Sequence, residues 1–391
     1  VIALLACVIP VGADTAAPVE VRPWTVAIFM NGDNDLEEWV THDLNELEAG
    51  DPGAEAWVVV QADRIEGYDT SDGDWTDARR YTITPDTTDA VVSPVVEELG
   101  EVDMGDPDVL ADFLTWTAEN YPSERLVLVL WDHGDGWTVT GEDAERPSAI
   151  SYDDTSESAI GIVDGGLTRA LDAHVAEHGP VDLLGFDGCN MGAYEVAWAL
   201  RDHAETLSLS QSWVGWEGMQ YTPLLDTIGA DPNVDTRVLA DQTASDAVDA
   251  GFERTWAAVD ATQLEAVHVG LDALAGGFLD AEGGVDRFVF LRRQARSTEI
   301  MYRSWYIDLG DLAAVSDGAM VGEQGADLAA AVDAAVIGAY GDDRFTWTSG
   351  LSVFAATDDP EWIELYSEGP WAADSRWDEL LVAASEGSYE W

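Results

Sequence analysis

Short apolar runs, each closed by a turn or polar signal, alternate with segments of helical spacing along most of this chain. That alternation constrains the fold more than any other feature. Trp24–Met30, Trp57–Gln61, Arg80–Ile83, Leu126–Trp131, Val181–Phe186 and Leu207–Ser210 read as strands, the run at 126–131 most strongly. Between them, Asp35–Glu48, Asp106–Asn120, Gly166–His178 and Met191–Asp202 carry apolar residues at helical intervals. Strands that are apolar throughout are covered on both faces, and helices between them imply right-handed crossovers. The class is therefore α/β, with a mostly parallel central sheet. Residues 235–345 read as mostly helical and Ala/Asp-rich, 349–355 returns as a strand and Trp377–Ala384 as a helix. Residues 141–160 read as an exposed acidic loop. The expected organisation is a tether over 1–23, a catalytic core over 24–234 and a helical C-terminal portion over 235–391 that returns one strand to the core.

Charge narrows the function. The 391 residues carry 77 acidic and 17 basic side chains, a formal charge of −60, and every basic residue is Arg. An apolar content of 47% is too high for an acidic disordered chain. The charge argues against nucleic acid as a partner, because phosphates need basic patches, and against an anionic membrane surface. Most of it reads as solvated surface suited to salt or solubility.

Two cysteines cannot build a disulfide framework. Cys7 closes the apolar stretch Val1–Cys7, and Leu4-Leu5-Ala6-Cys7 resembles a bacterial lipobox. Cys7 is thus the expected lipidation site, with the cell envelope as destination; an ordinary secretory segment would instead send the chain out free. Cys189 follows the strand at 181–186, in Asp187-Gly188-Cys189-Asn190-Met191, and His133 follows the strand at 126–131, in Trp131-Asp132-His133-Gly134-Asp135-Gly136-Trp137. In open α/β sheets, ligands bind beyond the carboxyl ends of the strands. If the two strands lie close together, His133 and Cys189 share a crevice. A lone cysteine is usually a small buried hydrophobe, but a Gly-flanked Cys beside a Gly-flanked His is a nucleophile with its base. The N-terminus of a helix starting near Cys189 would favour the thiolate. The amides of Gly134 and Cys189 are candidate oxyanion donors. Zinc clusters, phosphate loops and a Gly-x-Ser-x-Gly elbow do not occur. Asp69–Asp74 is calcium-loop-like without the EF-hand register.

At these residues the chain resembles the clostripain family of cysteine peptidases, relatives of caspases. Met30–Glu37, Trp131–Trp137, Asp187–Met191, Ser349–Ser352 and Trp377–Leu381 carry the likeness in order, over roughly residues 24–385. The resemblance implies a caspase-like α/β/α sandwich and an endopeptidase that cuts after basic residues, with His133 as base and Cys189 as nucleophile. It suggests Asp187 as the floor of the specificity pocket, although a helix N-terminal carboxylate is the other reading of that residue. In Ser210–Tyr221 it offers Glu217 as a second pocket carboxylate and Ser210 as a wall, with Met219 departing from the family pattern. Two carboxylates would favour a guanidinium, hence Arg over Lys. No cofactor is required, and Ca²⁺ is the one ion the acidic loops suggest. A monomer acting on peptides or proteins with Arg or Lys at the cleaved bond is expected. A catalytically silent surface binding protein of the same fold, or a peptidase with acidic or Asn preference, are the alternatives.

Relatives can be activated by cleavage in the loop after the His strand. The only basic residue of the matching loop here is Arg146, and Pro147 follows it. A proline after the scissile bond blocks most cleavage. Wild type and Cys189→Ala are therefore expected to migrate alike on a denaturing gel, and a fragment ending at Arg146 in the wild type alone would refute this.

Overall fold

The computed structural model describes residues 19–137, 150–297, 305–318 and 322–387. Cys7 and Arg146 lie outside the described residues. Thirteen strands are present among them: β1 (Arg22–Gly32), β2 (Ala56–Arg64), β3 (Ala78–Thr82), β4 (Val95–Gly100), β5 (Ser123–Trp131), β6 (Ile150–Asp153), β7 (Ser158–Ile160), β8 (Val181–Asp187), β9 (Ala204–Leu209), β10 (Thr255–Asp260), β11 (Tyr306–Asp308), β12 (Val336–Gly341) and β13 (Ser352–Phe354). Nine form one sheet in the order β12-β10-β9-β8-β5-β1-β2-β3-β4. Its centre, β9-β8-β5-β1-β2, is parallel, and both flanks are antiparallel.

Alternate residues of the central strands enter two different cores. Ala27 and Phe29 of β1, with Leu126, Leu128 and Leu130 of β5, pack under the helices Pro107–Asn120 and Gly166–His178. Val26, Ile28 and Met30, with Val127, Val129 and Trp131, pack under Glu37–Ala49, Tyr221–Ala230 and Thr236–Asp249. Two buried faces require apolar residues at every position, which is why these strands read as unbroken runs. The layers are helix, sheet, helix, as the α/β/α expectation has it. Among the described residues no helix is long and apolar enough to cross a membrane.

Three expectations are corrected. The portion after 234 is not only helical: β10 and β12 extend the main sheet, whereas the strand foreseen at 349–355 pairs as β13 with β11 in a separate two-stranded sheet. The alanines of β10 and β12 suggest helix, and pairing, of β10 with β9 and of β12 with β10, overrides that preference. Residues 150–160 are not an exposed loop but the hairpin β6–β7, in which Ile150 and Ile160 pair and are fully buried. The edge strand β4 escapes detection because Val95-Val96-Glu97-Glu98 lies on the surface; its Glu97 meets Arg80 of β3 at 3.0 Å.

One buried ion pair fixes the turn between β1 and its following helix. The Arg64 guanidinium, at the end of β2, is wholly enclosed; it donates from Nε to Glu37 Oε1 at 3.1 Å and from Nη1 to the Ser71 carbonyl at 3.1 Å. Glu37 Oε2 accepts from the amides of Tyr68 and Asp69 at 2.9 and 2.8 Å. Removing Glu37 takes away the one fully buried partner of that charge and leaves only Asp69, partly exposed, at 3.2 Å. Glu37→Ala is expected to cost about 3–5 kcal/mol of stability in a denaturant melt, and a loss under about 1 kcal/mol, as for an exposed pair, would contradict the burial.

Candidate active site

Strand register places the two reactive side chains side by side. β5 and β8 are adjacent and parallel, with Trp131 opposite Asp187. His133 and Cys189 each follow two residues later. The loops that carry them touch backbone to backbone: a Cβ on Gly134 would lie 2.5 Å from the Cys189 carbonyl oxygen and 2.9 Å from its nitrogen. A Cβ on Gly188 would lie 2.9 Å from the Asp132 carbonyl oxygen. Glycine is required at both positions for space, and the Asp132 amide closes the approach by donating to the Asp187 carbonyl at 3.1 Å.

His133 and Cys189 line one cleft, and each has a different partner within it. His133 Nε2 lies 2.7 Å from Asp35 Oδ1. Burial pulls its pKa down, but the Asp132 charge and the Asp35 bond outweigh burial and hold it above the ordinary value. Asp132, buried beneath, accepts from Asn34 Nδ2 at 2.8 Å and from the amides of His133 and Tyr152, so one carboxyl group ties together the ends of β1, β5 and β6. Burial pushes that carboxyl up to about 8. Cys189 Sγ accepts the Val214 N–H at 3.3 Å. Burial pushes the thiol up to about 12 against that bond, with the carboxylates of Asp135, Glu253 and Asp187 adding to the rise. Among the described residues no hydrogen bond joins His133 to Cys189.

The helix expected near Cys189, over Met191–Asp202, begins only at Tyr194 and ends at Leu200. Residues 190–192 instead form a turn tied down by two backbone bonds, Asn190 and Gly192 donating to the carbonyls of Ser212 and Ser210 at 2.9 and 2.6 Å. A helix terminus therefore contributes nothing to the thiol.

The cleft has aromatic walls, Trp39, Trp213 and Trp216, with Asp187 at its floor. Trp39 and Trp216 stack at 5.9 Å. Asp187 Oδ2 accepts from the Met219 amide at 3.0 Å and from Tyr221 Oη at 2.9 Å. It caps no helix, which removes that reading of the residue. Among the described residues no donor reaches Oδ1. Gly218, at φ 52°, keeps that oxygen accessible, since a Cβ there would lie 2.4 Å from it. Burial and the Asp43 charge push the Asp187 carboxyl up to about 7.

Two expected pocket residues sit elsewhere. Glu217 is not among the residues lining the cleft; its carboxylate lies 3.7 Å from His42 Nε2. Ser210 is fully buried, its hydroxyl shared with Thr255 at 3.0 Å. Gly215 and Gly218 of the same loop do line the cleft. Asp35 was missed. It lies past β1, beside which the sheet order reverses between β2 and β5, and that switch point was the signal available for it.

A layered α/β sheet that offers a histidine and a cysteine from adjacent strand ends, above a carboxylate-floored cleft, has the architecture of caspase-like cysteine peptidases. The chain belongs to the clostripain family: the model of that family of C11 peptidases matches residues 28–382. It is 28% identical over 225 residues to clostripain of Hathewaya histolytica, covering 53% of this chain and 42% of that protein, so it spans under half of that relative's length. In structure it is similar to an inactive zymogen of a C11 protease from Parabacteroides distasonis, with TM-score 0.69 and 20% identity over 91% of this chain and 99% of that one. A secreted C11 cysteine protease from Bacteroides thetaiotaomicron, bound to an irreversible peptide inhibitor, gives 0.67 and 18% over 90% and 99%.

The Asp35 carboxylate stabilises the protonated imidazole, so its removal lowers the His133 pKa. An NMR titration of Asp35→Asn is expected to show His133 titrating at lower pH than in the wild type; an unchanged midpoint would mean that the bond does not form in solution.

Proposed function

We propose that this chain is an exported cysteine endopeptidase that cleaves after basic residues, Arg before Lys, through Cys189 and His133. The observation that carries the reading is the register that sets both residues two positions beyond the paired Trp131 and Asp187, over a buried carboxylate with a free oxygen. His133 takes the Cys189 proton as the sulfur attacks the scissile carbonyl and returns it to the leaving amine. For this the ring must turn from Asp35, which holds it in the free state. The close approach of Gly134 to the Cys189 amide supports those two N–H groups as the oxyanion donors. Asp187 would receive the basic side chain at the floor, between tryptophan faces that suit a planar guanidinium better than an ammonium. Placement against His42 weakens the case for Glu217 as a second carboxylate. One chain supplies every group, so the reading keeps the enzyme a monomer. Leu4-Leu5-Ala6-Cys7 supports a lipid anchor at Cys7, and export accords with the secreted relative.

The rival is a silent binding protein of this fold. One observation favours it: the thiol is only partly exposed and is not bonded to His133. A fluorogenic Arg-peptide separates the two. Cys189→Ala and His133→Ala are each expected to lower kcat/KM by about 10⁴-fold or more. Asp187→Asn is expected to cost about 10–10²-fold, through loss of a charge-assisted contact to substrate. Because the Asp187 carboxyl titrates near 7 when free and must be ionised to hold a guanidinium, wild-type kcat/KM should rise as pH climbs through about 7. Equal low turnover in all four proteins would support the rival.

A further inference from the structure

Residues 210–220, between β9 and the helix Tyr221–Ala230, wall the cleft yet form no helix or strand. Side chains hold this loop in place. From below, the amides of Val214, Gly215 and Met219 donate to Cys189, Glu253 and Asp187 at 3.3, 2.8 and 3.0 Å. From the side, the helix Glu37–Ala49 grips it at two neighbouring points. Trp39 stacks on Trp216 at 5.9 Å, their planes 15° apart. One turn further along the helix, His42 sets Nδ1 2.9 Å from Asp43 Oδ1 and Nε2 3.7 Å from Glu217 Oε2. The His42 ring also packs edge-on with Trp39 at 5.1 Å. The stack and the ion pair therefore act as one clasp between residues 39 and 42 of the helix and residues 216 and 217 of the loop.

The charge of His42 decides whether that clasp holds. Each ring nitrogen faces a carboxylate, so a doubly protonated ring satisfies both, whereas a neutral ring has a single N–H to give. Asp43 has the stronger claim on it. It is buried, and among the described residues its side-chain partners are His42 and the Trp131 indole N–H at 2.6 Å. A neutral His42 thus keeps its proton on Nδ1 and turns the Nε2 lone pair toward Glu217, which changes attraction into repulsion. The Asp43 bond, working against partial burial, holds the His42 pKa above the ordinary value, and the charges of Asp43, Glu217 and Glu46 add to the rise. Glu46, on the same helix, accepts the Thr222 amide at 3.2 Å, and burial pushes its carboxyl up to about 8. Asp187 bears on Asp43 and Glu46 from the pocket floor. Among the described residues no arginine pairs with Asp43, Glu46 or Glu217, which leaves His42 as their cation.

We infer that His42 is a positioning residue for the specificity pocket: its imidazolium clasps the Trp216–Glu217 loop against the helix of Trp39, and the loop is released when the ring loses its proton. The inference rests on the peptidase reading and adds an opposing limit to it. Ionisation of Asp187 strengthens the hold on a basic side chain as pH rises, and loss of the His42 charge loosens the wall of the same pocket at higher pH.

The variants His42→Gln, which can still donate to Asp43 without carrying charge, and Glu217→Ala test the clasp with the fluorogenic Arg-peptide. At pH 6 each is expected to raise KM about two- to fivefold, at most about 1 kcal/mol for a half-exposed pair, with kcat unchanged. The double variant should be no worse than either single one. At pH 9 all KM values should coincide with that of the wild type. An effect of charge on Asp187 alone would instead move the two variants in opposite directions, and that result would overturn the proposal, as would wild-type KM values at pH 6. NMR supplies a readout that needs no turnover. Glu217→Ala should lower the His42 titration midpoint, and the Trp216 indole signal should follow that midpoint in the wild type and ignore pH in His42→Gln. An unchanged His42 midpoint, or a Trp216 signal that does not follow it, would overturn the clasp even if the chain cuts no peptide, whereas absent turnover with these NMR changes intact would refute only the peptidase reading.

Discussion

Everything at the reactive end of this protein depends on one close backbone approach. The loops after β5 and β8 meet at Gly134 and Gly188, with no room for a Cβ on either. Parallel pairing from Val127 with Leu183 to Trp131 with Asp187 delivers them in step. A shift of one residue would send His133 and Cys189 to opposite faces of the sheet. The buried apolar runs of the central strands prevent such a shift, because their large apolar residues already alternate between two cores. Core packing thereby becomes catalytic geometry.

Burial of carboxylates is the second organising constraint. Most of the −60 charge lies on the surface, where water screens it. A few acids are taken indoors, and each is handled differently. Glu37 is neutralised by Arg64. Asp132 receives three donors from three segments and fastens them together. Asp187 takes two donors on one oxygen and keeps the other toward the cleft. Asp33 and Asp63 keep an oxygen with no donor at all. A buried acid left partly unsatisfied by the chain is costly unless a proton or a positive group meets it.

The free thiol and imidazole are held apart in this state. Cys189 rests on the Val214 amide and His133 on Asp35. Neither contact is strong enough to prevent rearrangement when a substrate carbonyl enters, since each is a single hydrogen bond worth about 1–3 kcal/mol. The exposed side of His133 leaves its ring room to turn.

The α/β class, the parallel sheet centre and the two strand ends that carry His133 and Cys189 are legible in the chain alone. These depend on local signals: unbroken apolar runs, helical spacing and glycines beside reactive residues. The chain also marks Asp187, because the end of a strand is a place that periodicity can locate. What surrounds them is set by folding. Asp35 reaches His133 from 98 residues away, and Asp33, Asp63, Glu101 and Asp153 converge from four separate segments. Folding also turned Glu217 toward His42 and buried Ser210 against Thr255. β10 and β12, weak strands by composition, exist because a neighbouring edge was there to pair with. The physical reason is common to all of these. Periodicity reports which face of an element is buried, whereas the partner that a side chain meets is set by register and chain crossing between segments far apart in sequence.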